Sequence, residues 1–232
     1  MMVFNIATVP RRKKMFLSVL RSLASQTLPC DHINVAMGYP TFDEDIYLAL
    51  KKLFKSHHIK YRKGLQCEYK LFALDSTSDE AQMLTFDDDI IYPPDYAHAL
   101  ISGLENHGGV VGFHGIRFKG FPVKNYKAEK TMYQYFKDVG VDTQVHVIGT
   151  GCMGFNVGQM RQLGLTFEKI NTKSNCLDGS FGRWCRDNGI KTTVLAHAAG
   201  WMGIMPESQD LQSLWKKSWA ERYKTKLSFL EK

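Results

Sequence analysis

No stretch of this chain is long and apolar enough to cross a bilayer as a helix, which argues against a membrane-spanning segment. Its start, Met1 to Ile6, is apolar, and the charges of Arg11 to Lys14 come afterwards, the reverse of a secretory leader. Cysteine is sparse and unpatterned: Cys30, Cys67, Cys152, Cys176 and Cys185 are odd in number and form no C-x-x-C pair. Free thiols in a reducing, cytoplasmic compartment are the expectation. There is no internal repeat, no low-complexity segment, and no helix-turn-helix, zinc-finger or RNP-like motif, so a nucleic-acid partner is not expected. Acidic residues are outnumbered, 23 against 30 Lys and Arg, giving a net charge of +7. Such a balance favours anionic partners, a lipid surface or phosphorylated small molecules among them.

What is present is ordinary in bulk and specific in detail. The 232 residues are 44% hydrophobic and 23% charged, enough for one full-sized core. Residues 3–8 form an apolar run closed by Pro10, a strand and a break. Met15, Phe16, Val19, Leu20 and Leu23 then recur at helical spacing. Strands are expected over 33–37, 59–61, 83–86 and 110–113, with helices over 46–54 and 94–106 and another beginning near 70–74. Strands alternating with helices predict an α/β fold, a mainly parallel sheet covered on both faces. Beyond it, 117–132 is basic and poorly periodic and reads as a mobile loop. Strands are expected over 145–148, 153–157 and 191–196, and a helix over 178–188.

The sharpest feature is Asp87-Asp88-Asp89, directly after the apolar run Met83 to Phe86 and directly before Ile90-Ile91-Tyr92-Pro93-Pro94. Three adjacent carboxylates repel one another, and at a strand end they require a cation or strong hydrogen-bond donors. A hard divalent ion such as Mn²⁺ or Mg²⁺ would compensate them, and such ions commonly accompany phosphate-bearing substrates. The carboxyl ends of strands are also where open α/β sheets bind ligands. An acidic turn capping the next helix is the plainer alternative.

With these residues in view, the chain resembles the glycosyltransferase A (GT-A) fold, and within it bacterial family-two-like sugar transferases. The resemblance runs over roughly residues 5–202. It is carried by Ala7-Thr8-Val9-Pro10-Arg11, by Thr85 to Pro93 around the aspartates, by Gly149-Thr150-Gly151, by Cys176-Leu177-Asp178, and by Ala196 to Trp201. It implies a nucleotide-diphosphate-sugar donor, UDP by default, and transfer to a hydroxyl of a glycan or lipid-linked acceptor, as in bacterial surface-polysaccharide assembly. It also implies a single GT-A domain over 1–205, with a nucleotide-binding half over about 1–115 and an acceptor half over about 116–205.

The resemblance further assigns roles. Asp87 and Asp89 would ligate Mn²⁺ or Mg²⁺, with His197 as a further ligand, and Asp88 would intervene beside the donor. Asp178 would be the general base of an inverting reaction, an assignment that competes with plain helix capping. Thr8, Pro10, Arg11 and Lys70 would line the donor pocket, and Gly151 would let backbone approach the sugar. Arg12, Lys13 and Lys14 read as a solvated helix start, or else as cations awaiting an anionic partner. His114 has no partner at metal spacing and reads as a structural or surface residue. The tail over 206–232 places Leu211, Leu214, Trp215 and Trp219 beside several lysines. That pattern suits either packing on the domain or peripheral contact with an anionic membrane. Two other classes remain open: a nucleotidyltransferase, disfavoured because Thr8-Val9-Pro10-Arg11-Arg12 contains no glycine, and a non-catalytic nucleotide-sugar or glycan-binding module.

Overall fold

In a computed structural model that describes residues 1–39, 42–62, 67–126, 128–170 and 177–205, the apolar opening run becomes strand β1 (Met2–Thr8). A turn of 3-10 helix at Pro10–Arg12 leads into α1 (Lys13–Ala24), which buries Met15, Phe16, Val19, Leu20 and Leu23 as its spacing dictates. Strand β2 (His32–Met37) follows, then α2 (Glu44–Leu53), whose first turn is capped by the Asp43 carboxylate accepting from the Ile46 amide at 3.2 Å. Lys13 meets Asp43 at 3.0 Å and Asp45 at 2.7 Å, so the anionic partner of this helix start is α2.

Next come β3 (His57–Tyr61), β4 (Gln82–Phe86), β5 (Ile90–Ile91), α3 (Tyr96–His107) and β6 (Val110–Gly112). The second half contains β7 (Gly115–Phe118), β8 (Lys130–Tyr133), β9 (Thr143–Val145), β10 (Val147–Ile148) and β11 (Cys152–Asn156). It ends with α4 (Val157–Gln162), α5 (Phe167–Ile170), α6 (Leu177–Asp187), β12 (Thr192–Val194) and β13 (Gly203–Ile204).

Eight strands form the central sheet in the order β3-β2-β1-β4-β11-β6-β12-β9. The pairings of β1 with β2 and β4, of β2 with β3, and of β6 with β12 are parallel. Strand β11 runs against both of its neighbours, β4 and β6, and β9 runs against β12. Six strands therefore point one way, and the mainly parallel α/β sheet expected from the sequence is the one found. Because side chains alternate across a strand, Phe4 and Ile6 face the layer of α1 and α3 while Val3 joins the opposite core with Met83, Phe155 and Phe181. Burying one such side chain contributes roughly 1.5–3 kcal/mol. Cys30, Cys152 and Cys185 are free thiols. Among the described residues no helix is long and apolar enough to cross a membrane.

Three local expectations change. The segment around Lys70 is not an α-helix but two short 3-10 turns, Cys67–Leu71 and Leu74–Ser76, which pack Tyr69, Phe72 and Ala73 against Ala36. The expected loop over 117–132 is a hairpin: β7 pairs with β8 and with β10, enclosing Ile116, Phe118, Val123, Tyr126 and Val147 in a small core of its own. Its strands are too short for period-two alternation to stand out among the lysines. The expected strand over 145–148 is divided at His146, with β9 in the large sheet and β10 in the small one. The tail over 206–232, with its apolar stripe, lies outside the described residues, as do Lys127 and Cys176.

Candidate active site

Strand β4 is flanked by β1 and β11, so Asp87, Asp88 and Asp89 emerge from its end between the end of β1 and the glycine turn that precedes β11. The three carboxylates have three different surroundings. Asp88 is buried, accepting a hydrogen bond from the Thr8 hydroxyl at 2.7 Å and another from the Arg12 guanidinium at 2.5 Å. Arg12 reaches Asp89 as well, at 3.2 Å. Burial opposes the charge on Arg12, but Asp88 and Asp89 outweigh it, and the guanidinium is held more firmly protonated than usual.

This corrects three expectations. Asp88, only 4% exposed, spends its carboxylate on tying the triplet to β1 and Arg12. Thr8, only 2% exposed, spends its hydroxyl on Asp88 and is not free to wrap a nucleotide. Arg12 is not a solvated helix start. Pro10 and Arg11 lie exposed on the turn after β1, and the Pro10 carbonyl accepts from the Tyr39 hydroxyl at 3.4 Å.

Asp87 is the most open of the three, its side chain 44% exposed, and it pairs with the buried ammonium of Lys70. Lys70 also donates to the Thr150 carbonyl at 3.2 Å. The Asp87 amide donates to the Tyr92 hydroxyl at 2.7 Å, which in turn donates to the Gly151 carbonyl at 2.6 Å. Tyr92 thus stitches the aspartate loop to the glycine turn from below. Asp89 is intermediate. Burial and then the neighbouring charge of Asp87 push its carboxyl up to about 6, against the pull of Arg12.

Asp178 reaches the same place from α6. Its Oδ1 accepts from the Thr150 amide at 3.0 Å and from the Thr150 hydroxyl at 2.6 Å. The Thr150 carbonyl also accepts from the Thr85 hydroxyl at 2.7 Å. Thr150 therefore joins Asp178, Lys70 and, through Lys70, Asp87 into one network on strand ends. Asp178 lies within the first turn of its helix and points a carboxylate oxygen across to the glycine turn.

Gly151 makes room for a neighbouring side chain. A Cβ built there would lie 1.9 Å from Asp87 Oδ2 and 2.3 Å from Cγ. The missing side chain is what lets the Asp87 carboxylate lie against Lys70. Gly151→Ala is therefore expected to destabilise the fold by about 1–3 kcal/mol through overpacking and to detach Asp87 from Lys70. The double variant with Asp87→Ala recovers the melting temperature. If the single variant melts with the wild type, the close approach has no energetic weight.

His197 does not join the aspartates. Its Nδ1 lies 2.8 Å from the Leu195 carbonyl and its Nε2 3.3 Å from the Gln134 carbonyl, while its backbone exchanges two hydrogen bonds of 2.9 Å with Val139. The two carbonyls and the Val139 backbone hold the residue at this place in the fold. Its ring packs edge-on against Phe113 at 5.4 Å. Among the described residues no three His, Cys, Asp or Glu side chains gather as a metal-ligand set. Asp87 and Asp89 present partly exposed carboxylates here. Their oxygen-only donor set fits a hard divalent ion that draws its other ligands from phosphate and water.

Four further residues at the site had been given no site role from the sequence. Arg12 and Thr150 looked like generic helix-start and turn residues, and Tyr92 was visible only as part of the motif around the aspartates. Tyr135 lies in an aperiodic stretch after β8. Burial, and then the charges of Asp89 and Asp87, push its hydroxyl well above the usual range, which puts it beside the acids. His114 faces it, with ring centroids 6.1 Å apart, and the His114 carbonyl accepts from the Gly149 amide at 2.7 Å.

No family model and no curated protein matches the chain. Solved structures do match. A crystal structure of S. aureus TarS residues 1–349 superposes with a TM-score of 0.57 at 13% identity, over 95% of this chain and 64% of that one. Another crystal structure of S. aureus TarS gives 0.56 at 12% identity, over 92% of this chain and 38% of that one. The 1–349 form in complex with UDP-GlcNAc gives 0.54 at 12% identity, over 85% and 56%. The chain spans less than two thirds of each of these proteins. At such identities the likeness fixes the fold alone: the chain shares the α/β fold of these structures.

Proposed function

We propose that this chain is a glycosyltransferase that moves a sugar from a nucleotide-diphosphate donor, a UDP-sugar, to a hydroxyl of a glycan or glycolipid acceptor. The observation that carries the reading is the single network of Lys70, Asp87, Thr150 and Asp178 at strand ends, beside Asp89. The fold it stands on is shared with TarS, one structure of which holds UDP-GlcNAc.

In this reading the acceptor hydroxyl attacks the anomeric carbon while the bond from that carbon to the diphosphate oxygen breaks. The electron pair leaves with the nucleoside diphosphate, and the hydroxyl proton passes to Asp178, giving inversion. Thr150 fixes the direction of the Asp178 carboxylate with two hydrogen bonds. Lys70 supplies fixed positive charge beneath Asp87. Asp87 and Asp89 would hold Mn²⁺ or Mg²⁺, which when bound would stabilise negative charge on the departing diphosphate. His197 is not needed for this set. Acceptors of bacterial surface polysaccharides, reached at the inner face of the cytoplasmic membrane, are the natural context for such chemistry.

Calorimetric titration of UDP into the protein with Mn²⁺, repeated with chelator, tests the reading. Binding that requires the metal is expected. Equal heats in both conditions, or none in either, would remove it.

A further inference from the structure

The glycine turn that precedes β11 has a second occupant, His114, to which the transfer chemistry gives no task. The Cys152 amide closes the turn by donating to the Gly149 carbonyl at 3.2 Å. Its two glycines lie no more than about 7 Å apart. Gly151 makes room for Asp87 at one end, and Gly149 does the same for His114 at the other. A Cβ built on Gly149 would lie 2.8 Å from the His114 ring carbon Cδ2 and 2.9 Å from its Cβ. The His114 carbonyl also accepts from the Gly149 amide at 2.7 Å, which fixes the histidine to the turn by its backbone. Between the two glycines, Thr150 holds Asp178.

Strand order explains the meeting. Strand β11 lies between β4 and β6 and runs against both, so its first residues stand at the carboxyl ends of its neighbours. Asp87 follows β4 directly, and His114 lies just beyond the end of β6. Asp178 Oδ1 is 3.0 Å from the Thr150 amide, and Gly149 Cα stands two bonds behind that nitrogen. Adding the short gap from Gly149 to the imidazole puts His114 Cδ2 at most about 10 Å from the Asp178 carboxylate. His114 and Asp178 are both half-buried.

Tyr135 stands beside His114, with ring centroids 6.1 Å apart and planes inclined by 57°. The stretch that carries it is tied to the end of β12. The Gln134 carbonyl lies 3.3 Å from His197 Nε2, and Val139 exchanges two backbone hydrogen bonds with His197. Tyr135 is half-buried and packs on the core that contains Phe86, Ile90 and Phe113. After burial, the charges of Asp89 and Asp87 are what its hydroxyl feels most, in keeping with that place. Imidazole and phenol together make a wall that is aromatic on its faces and hydrogen-bonding at its tips. The charges near it are negative: Asp87 and Asp178 touch the turn, and Asp89 is two residues from Asp87.

In the displacement, the anomeric carbon lies about 3–3.5 Å from the attacking oxygen, which is itself within hydrogen-bond reach of Asp178. On its other side that carbon is bonded to the diphosphate at Asp87 and Asp89. The donor sugar therefore bridges the two ends of the turn, where His114 and Tyr135 stand. We propose that His114 and Tyr135 select the donor sugar, an uncharged pyranose whose ring packs on the phenol and whose hydroxyls are hydrogen-bonded by the imidazole. A uronic acid would bring a fourth carboxylate to a place that already holds three, and like charges there oppose it. The inference rests on the transfer reading.

Calorimetry with Mn²⁺ present compares UDP with UDP-glucose, UDP-galactose, UDP-GlcNAc, UDP-GalNAc and UDP-glucuronate. Wild-type protein is expected to bind at least one of the uncharged UDP-sugars, and to bind it more tightly than UDP-glucuronate. For that sugar, His114→Ala and Tyr135→Ala should each lower the affinity at least about fivefold relative to UDP. The affinity for UDP itself should change by less than about twofold, a split that general loosening of the fold would not produce. His114→Phe keeps a ring on Gly149 and removes the hydrogen-bonding nitrogens. It is expected to lose about threefold and stands in if the alanine variants fail to fold. Variants that keep the wild-type ratio between that sugar and UDP overturn the proposal. So does UDP-glucuronate bound more tightly than every uncharged sugar, or a protein that binds UDP and none of the four uncharged UDP-sugars. Wild-type protein that ignores UDP altogether removes the transfer reading itself, and the donor sugar with it.

Discussion

Replacing Asp178 by Asn is expected to lower kcat by about 10²- to 10⁴-fold, the usual contribution of a positioned general base. The amide oxygen of Asn can still accept from the Thr150 amide and hydroxyl, which Asp178 now engages at 3.0 and 2.6 Å. The glycine turn should therefore stay in place, with UDP affinity and melting temperature close to wild type. A loss of turnover at constant donor affinity is the signature of a missing proton acceptor. A variant as active as wild type would leave Asp178 as a helix-start residue that braces Thr150, and the base would have to be sought elsewhere. The anomeric coupling constant of the product, read by NMR, checks the same assignment from the other side, because a retained configuration is incompatible with one displacement assisted by Asp178.

The second large effect has opposite signs for stability and function. Loss of a partner behind a metal ligand commonly costs about 10- to 100-fold in metal affinity, so Asp89→Asn, which removes a direct ligand, should weaken Mn²⁺-assisted UDP binding by at least about 100-fold. The metal-free protein should instead become more stable at neutral pH. Asp89 is held at about 6, against an ordinary 3.8, chiefly by burial and then by Asp87. The folded state therefore holds the proton more tightly than the unfolded chain does. Between those two values the native state carries more protons, and stability falls as pH rises. Above pH 6 the full penalty is present, at most about 3 kcal/mol, and the lost contact with Arg12 offsets part of any gain. Urea melts of chelated protein at pH 5 and pH 7 measure it: wild type should lose stability over that interval, and the variant should lose less. Identical slopes would mean that Asp89 titrates as an ordinary carboxyl, and unchanged UDP binding would take it out of the donor site.

The candidate site was legible in the sequence where chemistry is written in consecutive residues. The acid triplet after an apolar run needed no partner to be noticed, because three adjacent carboxylates are unfavourable anywhere without compensation. Asp178 was legible through its place at a helix start. What could not be read was the division of labour. Asp88 and Asp89 are neighbours in the chain, yet one is buried against Thr8 and Arg12 and the other is partly open. That difference arises from residues about 80 positions away, on a strand whose pairing with β4 the sequence does not state. His197 shows the converse. A histidine near the right motif looked like a ligand, and only the tertiary structure shows that its ring nitrogens face the carbonyls of Leu195 and Gln134.

By itself the sequence determined the alternation of strands and helices, because the spacing of apolar residues is a local property that each segment must satisfy. It also determined that a cluster of carboxylates would need compensating charge. The tertiary structure alone decided which cations answer them, that Gly151 makes room for Asp87, and that a lysine-rich stretch folds into a hairpin beside Arg186. Those outcomes depend on contacts between distant segments, where distances of a few ångströms and the exclusion of water set the energies, and neither is encoded in the order of residues along any one stretch.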